Sequence, residues 1–211
     1  MRDVKEIEFI VRSSARELGE TLRLAEETFP ALERAVFLFV QCLHQKGTIF
    51  TAGNGGSAAD ALHLAEELLG RYRLPRDPLP AVSLCADPTA LTCIANDFGF
   101  SEIFSRPLSA LARPGDLFLC FSTSGSSANI LSALRLARSR SVRSIAFLGK
   151  DGGQAAPEAD VAWIVPSQST ARIQELHTWG LHVILECVEK ALGNREEPRR
   201  SEAIPEGREG A

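Results

Sequence analysis

The sequence predicts a three-layer α/β/α sandwich around a five-stranded parallel sheet, preceded by two N-terminal helices. Five short apolar runs, at Thr48–Ala52, Ala81–Cys85, Leu117–Phe121, Ser144–Leu148 and Val161–Val165, lack the polar alternation of a half-exposed sheet. Strands covered on both faces read this way. Helical periodicity or long connections separate the runs, as crossovers between parallel strands require. Polar, glycine-containing loops follow the first, third and fourth runs. In open parallel sheets ligands bind beyond the carboxyl ends of the strands, so the functional candidates fall on one edge.

In chain order, residues 3–46 carry apolar side chains at helical spacing, among them Ile7, Ile10, Val11, Leu18 and Leu22, then Leu32, Val36, Phe37, Val40 and Leu43 after a break at Pro30. The second of these helices is apolar on more than one face, which predicts packing both on its own sheet and on another subunit. The first strand runs into Gly53-Asn54-Gly55-Gly56-Ser57, with a helix beginning just after Ser57. Three prolines mark 71–80 as the loop into the second strand. A short helix is expected from Pro88, with a break at Asn96-Asp97-Phe98-Gly99 and another helix over Ser101–Ala112. The helix after the third strand should run to Ser139, and a last long one from Thr170 to Leu192. Residues 193–211 lack apolar anchors and read as a disordered tail, leaving residues 1–192 as one domain.

Composition excludes several classes. The 211 residues are 45% hydrophobic and 24% charged, with a net charge of −4 and both signs interspersed. No basic face is available for general nucleic-acid binding. No apolar run approaches the length of a membrane span, and the charged start has no signal-peptide core, so a cytoplasmic protein is expected. Five scattered cysteines without a CxxC pair read as reduced, buried thiols.

Chemistry concentrates at three places. Glycines and a helix N-terminus after the first strand favour an anion or close backbone contact with a ligand. His63 and Glu67, spaced i and i+4, share a helix face, either as a surface pair or as two metal ligands or a general base with its partner. Glu66 points about 100° away and reads as exposed. After the third strand, Ser122, Thr123, Ser124, Ser126 and Ser127 surround Gly125 at the start of a helix. One cap needs one hydroxyl, so this loop is expected to hold a phosphate monoester. The glycine turn also fits a loose dinucleotide fingerprint. The acid expected about 20 residues on is missing, however, and there is no P-loop, so no nucleotide cofactor is expected. In the last helix Gln174 and His182 lie about 12 Å apart along the axis. Either that helix begins irregularly at Gln174, or the two groups reach different parts of a site, across a subunit interface if need be. His177 is about 140° around from His182 and reads as structural or interfacial.

With these pieces in view, the segments AGNGGSAADALHLAEELLGRYR, IANDFGFSEIFSR, STSGSSANI, LGKDGG and ARIQELH followed, after four intervening residues, by His182 resemble the sugar isomerase (SIS) domain superfamily. Within it they resemble the phosphoheptose isomerases, over about residues 30–192. The resemblance implies a homotetramer with active sites between subunits, converting D-sedoheptulose 7-phosphate to D-glycero-D-manno-heptose 7-phosphate. It implies substrate contacts at Asn54, Gly55, Gly56, Ser57, Asn96, Asp97, Ser122, Thr123, Ser124, Ser127 and Gln174. Glu67 and His182 would be the acid–base pair, and one zinc ion per site would be held by His63, Glu67, Gln174 and His182. The superfamily also includes a binder of the bacterial replication initiator that lacks the glutamate of the HxxxE pair, and sugar-phosphate sensors; here both His63 and Glu67 are present.

Overall fold

The computed structural model describes residues 4–192; the tail at 193–211 lies outside the described residues. Two helices lead: α1 (Val4–Ala25) and α2 (Phe29–His44), joined by a single turn at Glu26–Thr28, with Pro30 in the first turn of α2. Then follow β1 (Ile49–Gly53), α3 (Gly56–Leu69), β2 (Ala81–Ser83), α4 (Pro88–Phe98), α5 (Ser105–Leu111), β3 (Leu117–Ser122), α6 (Ala128–Ser139), β4 (Arg143–Gly149), β5 (Val161–Val165) and α7 (Thr170–Leu192). The strands form one parallel sheet in the order β2-β1-β3-β4-β5. Side chains alternate across it with period two. Ile49, Leu117, Leu119, Phe121, Ile145, Phe147 and Trp163 pack on the side of α2, α3 and α7. Phe50, Ala52, Phe118, Cys120, Ala146 and Leu148 pack on the side of α5 and α6. Each fully buried large apolar side chain contributes about 1.5–3 kcal/mol, so the two layers hold the sheet edge rigid.

Boundaries differ from the sequence expectation where local chemistry decides them. Helix α3 begins at Gly56, so Ser57 lies inside it. Helix α4 is capped by Asp87, whose Oδ1 accepts the amides of Thr89 (2.9 Å) and Ala90 (3.0 Å), and it continues through Asn96 and Asp97 before Gly99 ends it. The buried-thiol expectation holds for Cys42 and Cys120 but not for Cys93, which is exposed because α4 buries none of its residues; Cys85 and Cys187 are half-buried, and all five are free.

Helix α1 packs sparingly, burying only Thr21 and Ala25 and leaving Val4, Phe9 and Val11 between 62% and 76% exposed. Arg172 ties it to α7, donating to the Ser14 carbonyl (2.6 Å) and hydroxyl (2.8 Å). The inner face of α2 (Leu32, Ala35, Phe39, Cys42, Leu43) covers the sheet, while Phe37 points outward.

His177 is fully buried on α7 among Phe121, Phe147 and Trp163, with Nε2 against the Leu148 carbonyl at 3.1 Å. It is a core residue. Burial lowers its pKa from 6.5 to about 4, opposed by the contact with Leu148. A depressed folded-state value means that below about 6.5 the unfolded chain takes up a proton that the folded chain refuses. Urea denaturation between pH 7 and pH 4 should therefore show stability falling as pH drops, by on the order of 3 kcal/mol from this group, and levelling off below about 4. His177→Phe should flatten that part of the profile.

Candidate active site

The strand order reverses between β1 and β3: the chain leaves β1 toward β2 on one side and returns to β3 on the other. Crevices at such switch points are where open α/β sheets bind ligands. Two loops line this one, the glycine turn Gly53–Gly56 and the hydroxyl loop Ser122–Ser127. Asn54 Nδ2 donates to Asn129 Oδ1 at 2.9 Å, and Asn129 Nδ2 donates to Asn54 Oδ1 at 2.8 Å. This reciprocal amide pair closes the loops against each other. Asn129, fully buried in the first turn of α6, uses the same Oδ1 to accept the Ile130 amide.

Within the hydroxyl loop, Ser122 Oγ accepts the Gly125 amide at 3.1 Å, and Ser124 Oγ accepts that of Ser126 at 3.3 Å. Gly125 has φ +62°, and a Cβ there would collide with the Gly152 carbonyl from the turn after β4. The Ala155 amide donates to the Gly125 carbonyl, fixing that turn beneath the loop (2.8 Å). Ser127 precedes α6, its hydroxyl making no cap hydrogen bond, and the first-turn amides lie at the crevice end of the helix. Hydroxyls and unpaired amides at a helix N-terminus suit a phosphate.

Away from the turn, α3 and α7 lie side by side and parallel, meeting at three successive levels. At the top the Gln174 amide covers Gly56, where any Cβ would overlap it. In the middle the Thr178 hydroxyl donates to Asp60 Oδ1 at 2.7 Å. Asp60 is buried, its Oδ2 has no hydrogen-bond partner, and its pKa is raised, by burial first and against the lowering effects of Thr178 and His63. At the third level the ring of His182 meets that of His63 edge-on, centroids 5.1 Å apart. His63 Nε2 lies 3.5 Å from Glu67 Oε1, both side chains partly exposed. The pKa of His182 is lowered, by burial first and then by His63, with Glu67 opposing.

The separation of His63 and Glu67 fits a zinc ion. Bonds of about 2.0–2.2 Å at a tetrahedral angle put two ligand atoms about 3.3–3.6 Å apart, which spans the His63–Glu67 separation, and nitrogen with carboxylate oxygen is a usual zinc donor set. Glu66, although exposed, also brings a carboxylate oxygen within 4.8 Å of the His63 and Glu67 donor atoms.

The structure thus brings together His63, Glu67 and His182. Asn54, Gly55, Gly56 and Ser57 stand at one wall of the switch point, with Gln174 over Gly56, and Ser122, Thr123, Ser124 and Ser127 at the other. Helix α7 is already regular at Gln174, so no irregular start shortens its distance to His182. Asn96 and Asp97 stand apart on exposed α4, where Asn96 Nδ2 donates to Asp97 Oδ1 at 2.7 Å and Cys93 Sγ lies 3.7 Å from Asp97 Oδ2. Sequence reading passed over Asn129, Asp60 and Tyr72. Asn129 carried one signal, a second amide at a helix start beside a ligand loop; Asp60 carried another, an acid one turn before His63 on the same face.

A parallel α/β protein with a phosphate-type loop at its switch point and an imidazole–carboxylate group further along the helix that follows β1 belongs to the class that handles phosphorylated small molecules. The SIS domain pattern matches residues 15–149. A phosphoheptose isomerase of Helicobacter pylori (strain P12) is 40% identical over 193 residues, covering 92% of this chain and 98% of that one. Another, from Citrifermentans bemidjiense, is 47% identical over 169 residues, covering 80% and 88%. The solved phosphoheptose isomerase of Neisseria gonorrhoeae superposes with a TM-score of 0.82 at 39% identity, covering 87% of this chain and 99% of that one. The chain belongs to the SIS domain family and, within it, to the phosphoheptose isomerases. It is a sugar-phosphate isomerase.

Replacing Asn129 with Leu leaves the Asn54 amide without its partner in a part-buried position. Urea denaturation should show a loss of about 1–3 kcal/mol, larger than that of the exposed change Asn96→Ala.

Proposed function

We propose that this isomerase converts D-sedoheptulose 7-phosphate to D-glycero-D-manno-heptose 7-phosphate, the first step toward nucleotide-activated heptose, in the cytoplasm. The observation that carries the reading is the meeting of His63, Glu67 and His182 on one stretch of the α3–α7 contact, below a loop suited to phosphate. Moving a carbonyl from C2 to C1 needs proton transfer between adjacent carbons and between their oxygens. In this reading the Glu67 carboxylate takes the C1 proton to form an enediol and returns it to C2. The His182 imidazole donates a proton to O2 and accepts the one leaving O1, so no net proton is gained or lost. The hydroxyl loop holds the phosphate, and the glycine turn and Gln174 hold sugar hydroxyls, with Asn96 and Asp97 assigned to the substrate through the family resemblance. His63, Glu67 and His182 would hold the zinc; Gln174, the fourth donor in the family resemblance, lies about two turns away over Gly56 in the same chain and would reach that ion only from another subunit. When bound, the metal supplies polarisation of the carbonyl and charge stabilisation on the enediolate oxygen.

We also assign a homotetramer, supported by the apolar residues that α1 and α2 leave uncovered. Light scattering should report the mass of four chains, and a monomer would reject the assembly.

Purified protein incubated with sedoheptulose 7-phosphate, with and without added zinc, should form the aldose by NMR. Glu67→Gln should lower turnover by about two orders of magnitude or more while melting temperature and phosphate affinity persist. Thermal stabilisation by substrate without turnover would instead mark a sensor. Absence of both, with a protein partner recovered by pull-down, would mark an adaptor.

A further inference from the structure

We infer that Tyr72 is a positioning residue for His182, held by a clamp between the proline loop and the last turns of α7; the inference rests on the acid–base assignment of His182 above. The Tyr72 ring lies nearly parallel to the His182 imidazole, centroids 5.5 Å apart at 22°. His63 meets the same imidazole edge-on at 81°. An imidazole on a helix turns freely about its terminal torsion over a broad range. One packed between a phenol face and a second ring does not.

The loop that carries Tyr72 is anchored at both helices. Glu186, one turn after His182, pairs with Arg73 Nη1 at 2.9 Å and accepts a long hydrogen bond from the Tyr72 hydroxyl at 3.5 Å. The guanidinium of Arg73 also lies over the phenol ring, 4.8 Å from its centre. Glu189, only 5% exposed, accepts the amides of Arg73 (3.0 Å) and Leu74 (3.1 Å) through one oxygen. Arg76 lies 3.9 Å from Glu189 and donates to the last carbonyls of α3, Glu67 (2.5 Å) and Leu68 (2.8 Å). Orphan carbonyls at a helix end are thereby satisfied. A single loop thus fixes the end of α3, which carries Glu67, and the phenol against which His182 rests. Proton transfer requires donor and acceptor within hydrogen-bond reach in a defined orientation, so a ring free to rotate loses rate rather than affinity.

The test compares Tyr72→Phe, Tyr72→Leu, Tyr72→Ala and His182→Gln in steady-state isomerase assays, with melting temperature and solution mass as controls. The expected result is that Tyr72→Leu and Tyr72→Ala lower kcat about tenfold or more with KM within about twofold, while Tyr72→Phe, which keeps the aromatic face, stays close to the parent. Should Tyr72→Ala fail to fold, Tyr72→Leu, which keeps apolar volume without an aromatic face, decides the matter. Parent-like kcat in Tyr72→Leu beside an inactive His182→Gln overturns the positioning role alone. A Tyr72→Phe as impaired as Tyr72→Leu also overturns it, because the hydroxyl and not the ring face would then be at work. An active His182→Gln removes the acid–base assignment and the inference with it.

Discussion

The contact between α3 and α7 is the constraint on which the rest of the site depends. Both helices follow parallel strands and return across the same face of the sheet, so they run in the same direction and their turns stay in step over several levels. Gln174 at Gly56, Thr178 at Asp60 and His182 at His63 are successive rungs of that contact. A slip of one turn, about 5.4 Å, would separate the imidazole of one helix from the imidazole and carboxylate of the other. The middle rung is where slipping costs most, because the buried Asp60 carboxyl would lose the Thr178 hydroxyl in a place water does not reach.

Phosphate recognition is assigned to a part of the fold that carries no positive side chain. The loop Ser122–Ser127 offers hydroxyls, amides and the N-terminus of α6, and a neutral site of this kind can hold a dianion without also fixing a lysine. Its shape is imposed from below by the turn after β4, through Gly125 against Gly152, and from the side by the Asn54–Asn129 pair. The segment LGKDGG therefore supports the hydroxyl loop from beneath.

Much of this was legible in the residues themselves. The apolar runs gave the five strands, and their lack of alternation gave a sheet covered on both sides, because burial on two faces removes the need for polar side chains. The His63–Glu67 pair and the hydroxyl loop were visible because their spacing is short: i and i+4 on a helix, or consecutive positions in a loop, are close in space whatever the rest of the chain does. Where local chemistry and packing compete, the reading was less exact. Helix α4 was expected to break within Asn96–Gly99 and does so at its far end, since neither Asn96 nor Asp97 forbids helix and Gly99 is the stronger stop. Cys93 was expected inside, and its exposure follows from α4 burying nothing, which no local pattern reveals.

By itself, then, the sequence determined the layered parallel fold, the glycine turn, the hydroxyl loop and the HxxxE pair. Only the tertiary structure decided which partners these groups receive. Asn54 and Asn129 are 75 residues apart, Asp60 and Thr178 118 apart, and Tyr72 and Glu186 114 apart. Such distances are closed by strand order and helix register, which arise from the burial of whole faces and not from the identity of the two residues that meet. For the same reason Gln174 and His182, whose separation along α7 was known from spacing, could be assigned to the glycine turn and to His63 only once α3 was seen beside them.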